Sequence, residues 1–195
     1  LNKTFIPALI VFLLLSVPPA AAAEPEPAVT LLFQPLGFLQ YGPAAEVEFR
    51  LTPALYLSAH VRANGLGLLT HLLTTDGTEF WGVAAGAGLR YLLYPDASPH
   101  AWFVGGLVEA GVNGYYGDVG LVTAYHGAAV FMVVAANGGF RWRFGSFLLE
   151  AGAYAGISPT LFSQYSYDSY PDITYVGGLP FTFFWTVELS LGVAF

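Results

Sequence analysis

The chain has 195 residues, enough for one domain, with 55% hydrophobic, 16% aromatic and 10% charged residues, 23 glycines and no cysteine. This composition excludes a disordered chain, a disulfide framework, a thiolate metal site and a cysteine nucleophile, while a formal charge of −7 excludes a nucleic-acid binder, which needs a basic surface. The apolar content suggests a membrane protein, yet after residue 23 no run resembles the roughly 20 apolar residues of a spanning helix; a closed β-barrel is the other structure that pairs every backbone group inside lipid.

The first 23 residues have the layout of a secretory signal peptide. Lys3 gives a positive start, 5–17 is an apolar run, Pro18 and Pro19 break it, and Ala21-Ala22-Ala23 fits the small-residue cleavage pattern. Cleavage before Glu24 changes the net charge from −7 to −8, because Lys3 is removed. Residues 24–28 then form a short polar lead-in, and the expected barrel spans 29–195.

From residue 29 the chain alternates with period 2, as strands do. The alternation predicts strands over 29–40, 44–51, 54–63, 80–93, 102–115, 130–144, 147–157 and 181–195. Most reach the roughly 9–11 residues of a tilted membrane strand. The connections alternate too. Those at 52–53, 95–100 and 145–146 are short; those at 64–79, 116–129 and 158–180 are long and rich in Gly, Tyr, Asp and Ser. Short turns on one side and long loops on the other are the habit of outer-membrane barrels, with Gly42-Pro43 as a tight exception.

The charges follow the same parity. Arg50, Arg62, Arg90, Arg141 and Arg143 all fall inside predicted strands, as do Glu46, Glu48, Glu109, Glu150 and Glu188, and each lies opposite the apolar series. The five aspartates fall in predicted loops or turns. Arg or Lys on a lipid face costs about 2–4 kcal/mol at mid-membrane. Turning all ten charges into the lumen avoids that cost, and five Arg against five Glu balance there. Gly86, Gly88, Gly105, Gly111, Gly139, Gly152 and Gly192 share the inward face and are expected to make room for long arginines. Two aromatic girdles are expected: Tyr91, Tyr94, Trp102, Trp142, Phe144, Phe147 and Phe195 at one end, and Phe80, Trp81, Tyr115, Tyr116, Phe183 and Trp185 at the other.

With this pattern the chain resembles the eight-stranded outer-membrane barrels that include the OmpA transmembrane domain, OmpX and OmpW. The resemblance covers about 29–195 and is architectural. Its most specific element is the last strand, with Val187, Leu189, Leu191, Val193 and Phe195 on one face. In that family such a strand is the signal read by the barrel-assembly machinery. The resemblance therefore implies assembly by that route, a polar lumen, variable surface loops, and surroundings of outer-membrane lipid and lipopolysaccharide. The resemblance is to the barrel alone, and a following peptidoglycan-binding domain of the OmpA type is not expected.

Candidate chemistry is sparse. His60, His71, His100 and His126 have no mutual spacing suited to a metal. The lipid A deacylase family resembles this fold and carries His and Ser two apart on a strand; no H-x-S occurs here. Ser58 and His60 form an S-x-H pair on one face, a possible nucleophile and base, but one facing the lumen. Gly82, Gly86 and Gly88 lie in a strand without a following helix and make no phosphate loop. Tyr165, Tyr167, Tyr170 and Tyr175 form a tyrosine-rich surface segment suited to contact. The expected protein is thus an outer-membrane barrel of structural or surface-contact role, with no catalytic residues, cofactor or metal. The alternative is a narrow channel for ions or small apolar compounds, with the apolar loop 66–73 at its entrance. A lipid-modifying hydrolase is a third reading.

Overall fold

The computed structural model describes residues 27–66, 68, 79–93, 100–119, 123–167, 170–177 and 181–195. The expected signal peptide and cleavage site, His71, Tyr94 and most of the 66–73 loop lie outside the described residues. The strands are β1 (Val29–Gln34), β2 (Ala44–Arg50), β3 (Leu55–Asn64), β4 (Glu79–Leu93), β5 (Ala101–Val119), β6 (Thr123–Phe144), β7 (Phe147–Tyr167), β8 (Tyr170–Gly177) and β9 (Phe181–Ala194). Among the described residues no helix is long and apolar enough to cross a membrane.

Each strand from β1 to β7 pairs antiparallel with the next, β7 pairs with β9, and β9 returns to β1, so eight strands close into a ring. The seam is held at its end by Phe195 N–H donating to Val29 O at 2.9 Å. The end of β2, the start of β3, the end of β4, the start of β5 and the 145–146 turn share that end of the ring, the turn end. The other is the loop end. Gly145, at φ 63°, opens the β6–β7 turn, where two-residue hairpins need positive φ.

The structure differs from the sequence reading at the loop end. β1 stops at Gln34, not at residue 40. Pro35 cannot donate to a ladder, and a 3-10 turn over Pro35–Leu39 follows, closed by Gln40 and Gly42 N–H groups on Gly37 O. The predicted loops 116–129 and 158–180 are largely strand: β5 and β6 pair out to Val119↔Thr123, and β7 continues to Tyr167. β9 takes the first part of β7, ending at Pro159↔Phe181, and β8 pairs with the remainder from Ser163↔Gly177. Asp118 and Asp172 consequently lie in strands, not loops. The β6–β7 register shifts by one residue between Val130↔Phe162 and Phe131↔Thr160, with Leu161 as the extra residue.

Burial is inverted relative to a water-soluble core. Leu31, Phe33, Phe49, Val61, Val83, Val104, Val112, Trp185, Leu191 and Phe195 are exposed, whereas Glu48, Glu109, Glu150, Glu188, Arg90 and Arg141 are buried. Since the ring is closed, the buried face of each strand is its interior. Soluble monomers seldom expose contiguous apolar patches beyond a few hundred Å²; here the apolar series recurs on strands around the ring.

Candidate functional site

The interior is layered along the ring axis. At the turn end Tyr56, Leu92, Ala101 and Phe103 form a buried apolar plug. Phe103 and Tyr56 also offer ring faces to the next layer: the guanidinium carbon of Arg90 lies 4.6 Å from the Phe103 centroid and that of Arg141 lies 5.1 Å from Tyr56. Cations favour such faces.

The second layer is ionic. Arg90 Nη1 donates to Glu48 Oε1 at 2.5 Å and to Glu150 Oε2 at 2.8 Å, with Glu188 and Glu46 at 3.6 and 3.7 Å from Nη2. Arg141 donates through Nη2 to Glu48 Oε2 at 2.5 Å and through Nε to Glu150 Oε1. Glu48 and Glu150, both 0% exposed, therefore bridge the two guanidinium groups. The local register makes this possible. Glu150 is paired directly across β6–β7 with Arg141, while Glu48 and Arg90 belong to strands separated by β3. Gln34 and Ser190 donate to Glu188 Oε1.

The third layer is centred on Glu109, whose Oε2 meets His60 Nε2 at 2.9 Å and accepts from Arg62 Nε at 3.1 Å. Tyr154, Phe131, Val133, Ala135 and Ala84 pack beside it. The space between the second and third layers is about 10 Å³, at the lower limit for a single water.

Eight of the ten sequence-predicted charges thus meet oppositely charged partners in the interior: Glu46, Glu48, Arg62, Arg90, Glu109, Arg141, Glu150 and Glu188. Arg50 and Arg143 share their parity but stand half-exposed at the turn end. There Arg50 Nε donates to Thr52 O, and Arg143 Nε donates to Gly145 O. The expected five-to-five balance also changes. The buried second layer has two guanidinium groups among four carboxylates. Ser58 and His60 do not form the nucleophile–base pair that S-x-H allowed, because His60 Nε2 is directed at Glu109. The inward glycines make room chiefly for other groups than arginine: a Cβ at Gly86 would lie 2.7 Å from the His60 ring, and one at Gly139 would lie 2.8 Å from the Phe103 ring.

Two expected girdle residues face inward. Phe80 and Tyr115, with ring centroids 5.2 Å apart, lie on the interior parity of β4 and β5. Trp81, Tyr116, Phe183 and Trp185 are exposed at the loop end, and Tyr91, Trp102, Phe144, Phe147 and Phe195 at the turn end; Trp142 is half-buried. Val187, Leu189, Leu191, Val193 and Phe195 are exposed along β9. Tyr165 pairs in register with Tyr175, and Tyr167 with Tyr170, so all four tyrosine positions sit on the β7–β8 extension.

Two histidine contacts escaped the sequence reading. His100 Nδ1 accepts from Arg143 N–H at 3.1 Å, and burial pushes its imidazole below the ordinary range. His126 Nε2 lies 2.9 Å from Ser166 Oγ on the outward face, beside a depression lined by Trp81 and Tyr116. Among the described residues no His, Asp and Glu cluster could hold a metal ion. No family model matches this chain, and neither the curated proteins nor the solved structures contain a significant match to it.

Proposed function

We propose that this chain is an integral outer-membrane β-barrel of the OmpA, OmpX and OmpW type, with a structural or surface-contact role and a lumen closed by its own side chains. The observation that carries the reading is the inverted burial: apolar residues outside, ion pairs inside. In lipid that arrangement keeps the ion pairs inside, away from the apolar face, and gives each of the eight ring strands two paired neighbours. An eight-stranded barrel has an interior just wide enough for side chains. The bridged Arg90–Arg141 layer fills it, which favours a closed lumen over the channel reading.

The reading includes export. Residues 1–23 act as a cleaved signal peptide, the β9 series ending at Phe195 is read by the barrel-assembly machinery, and outer-membrane lipid and lipopolysaccharide surround the finished barrel. The tyrosines at 165, 167, 170 and 175 form its contact surface. The test is expression in a Gram-negative host. The protein is expected in the outer-membrane fraction, heat-modifiable and protease-resistant, with an amino terminus at Glu24. Recovery in the soluble fraction would refute the membrane reading, and an intact Leu1 terminus would refute cleavage. Steady single-channel currents in planar bilayers would replace the closed-lumen role by the channel reading.

A further inference from the structure

The loop-end half of the interior holds a cavity of about 270 Å³. Its floor is polar. Arg62 and Glu109 form part of it, joined by Asn64, whose Nδ2 donates to Asn113 Oδ1 at 3.1 Å. Its walls are largely aromatic, with the Phe80–Tyr115 pair on one side and Phe131 and Phe184 among the others, interrupted by Ser158, Thr160 and Thr182. Below the floor the space falls to about 10 Å³ before the ionic layer, so the cavity is a blind cup. Its volume is near the lower end of ligand pockets.

We propose that this cup is a binding site for a small uncharged amphiphile: a ring or short apolar body with a hydroxyl or carboxamide at one end. Wall chemistry selects the body. Floor chemistry selects the polar end and its charge. Arg62 and Glu109 already neutralise each other at 3.1 Å. A charged ligand would leave water for a site whose opposite charge is taken, and buried charge without a partner is costly. A wholly apolar ligand would strip water from the Arg62 and Asn113 polar atoms and return nothing. A hydroxyl or carboxamide both donates and accepts, so it can meet the guanidinium, the carboxylate and the amide pair together. The site adds to the proposed barrel role and requires only the closed ring, whether or not the lumen conducts.

The test uses the full mature chain refolded into phosphatidylcholine vesicles at about pH 8. Insertion is checked first, by protease resistance. Benzamide, benzoate, benzylammonium and toluene are then titrated by equilibrium dialysis, with protein-free vesicles subtracted. Benzamide is expected to bind saturably, and at least tenfold more tightly than either ion or toluene. Val133→Trp and Thr160→Phe, which add bulk to the cup from neighbouring positions on β6 and β7, are expected to abolish that binding; two variants guard against one failing to fold. Tighter binding of either ion, equal binding of toluene, or benzamide binding undiminished in an inserted variant would overturn the site. Failure of the parent protein to insert would count against the membrane reading alone, and the same titration in detergent micelles would still decide the cup.

Discussion

Arg90→Met is the sharpest perturbation of the interior. Arg90 is 3% exposed and has four carboxylates within 3.7 Å. At an effective dielectric of about 20, one carboxylate at the 2.8 Å separation attracts it by roughly 6 kcal/mol before desolvation is counted. Desolvation offsets much of that. The net loss on removing one partner of a buried pair is about 3–5 kcal/mol, because the other partner stays buried and uncompensated. Methionine keeps an unbranched apolar stem beside Phe103, so the loss is mainly electrostatic. The assay is urea unfolding of the refolded protein in vesicles, followed by tryptophan fluorescence. Arg90→Met is expected to lose about 3–5 kcal/mol, whereas Arg143→Met, half-exposed at the turn end, is expected to lose under about 1 kcal/mol. Adding Glu150→Gln to Arg90→Met should recover part of the loss, since it removes a carboxylate left without Arg90 while Arg141 keeps Glu48 as its buried partner. Arg90→Met within about 1 kcal/mol of the parent protein, or no recovery in the double variant, would refute the reasoning.

Phe195→Ser is expected to reach the periplasm but insert slowly, because Phe195 is 68% exposed on the apolar face and contributes nothing to the ionic layers; normal amounts of protease-resistant barrel would contradict this. Ser166 is expected to resist a serine-directed fluorophosphonate despite the His126 contact, as a non-catalytic role requires; stoichiometric labelling that His126→Ala abolishes would restore the hydrolase reading. His100 should give a pH dependence. Its imidazole is held below the ordinary value near 6.5, so the stability it contributes is complete above that value and is lost as pH falls through the folded-state value. Protonation at Nδ1 also removes the acceptor for Arg143 N–H, so protection of that amide from hydrogen exchange is expected to fall as pH drops through the lowered folded-state value; protection unchanged down to about pH 4 would refute this.

Much of the ring was legible because parity is a local property. The Val187 to Phe195 alternation, the Glu46–Glu48–Arg50 run and the short turns each need only a few consecutive residues. Depth along the axis is not local. Arg141 and Arg143 have the same parity two residues apart, yet Arg141 lies in the ionic layer and Arg143 at the turn end. Parity assigns a face and leaves the height open. The aromatics show the same limit: Phe80 and Trp81 are neighbours near one strand end, and only the odd one faces outward. Composition was a poorer guide at 158–180, where Tyr, Ser and Asp read as loop but form β7 and β8.

Long-range register was hidden for a related reason. His126 and Ser166 are 40 residues apart, and the pairing that joins them is His126↔Ser166. Nearer the turn end, β6–β7 partners sum to 291 in residue number, as in Val134↔Ile157; beyond the irregularity they sum to 292, as in Val130↔Phe162. Without that one-residue shift His126 would stand opposite Tyr165, and Ser166 would turn to the other face of the strand. The extra residue is Leu161, between Phe162, paired with Val130, and Thr160, paired with Phe131. The same local break helps form the cup, since Phe131, Val133, Ser158 and Thr160 line it from the two strands concerned. A register irregularity is therefore the physical link between the outward His–Ser contact and the wall of the interior cavity, and shifting it should move both.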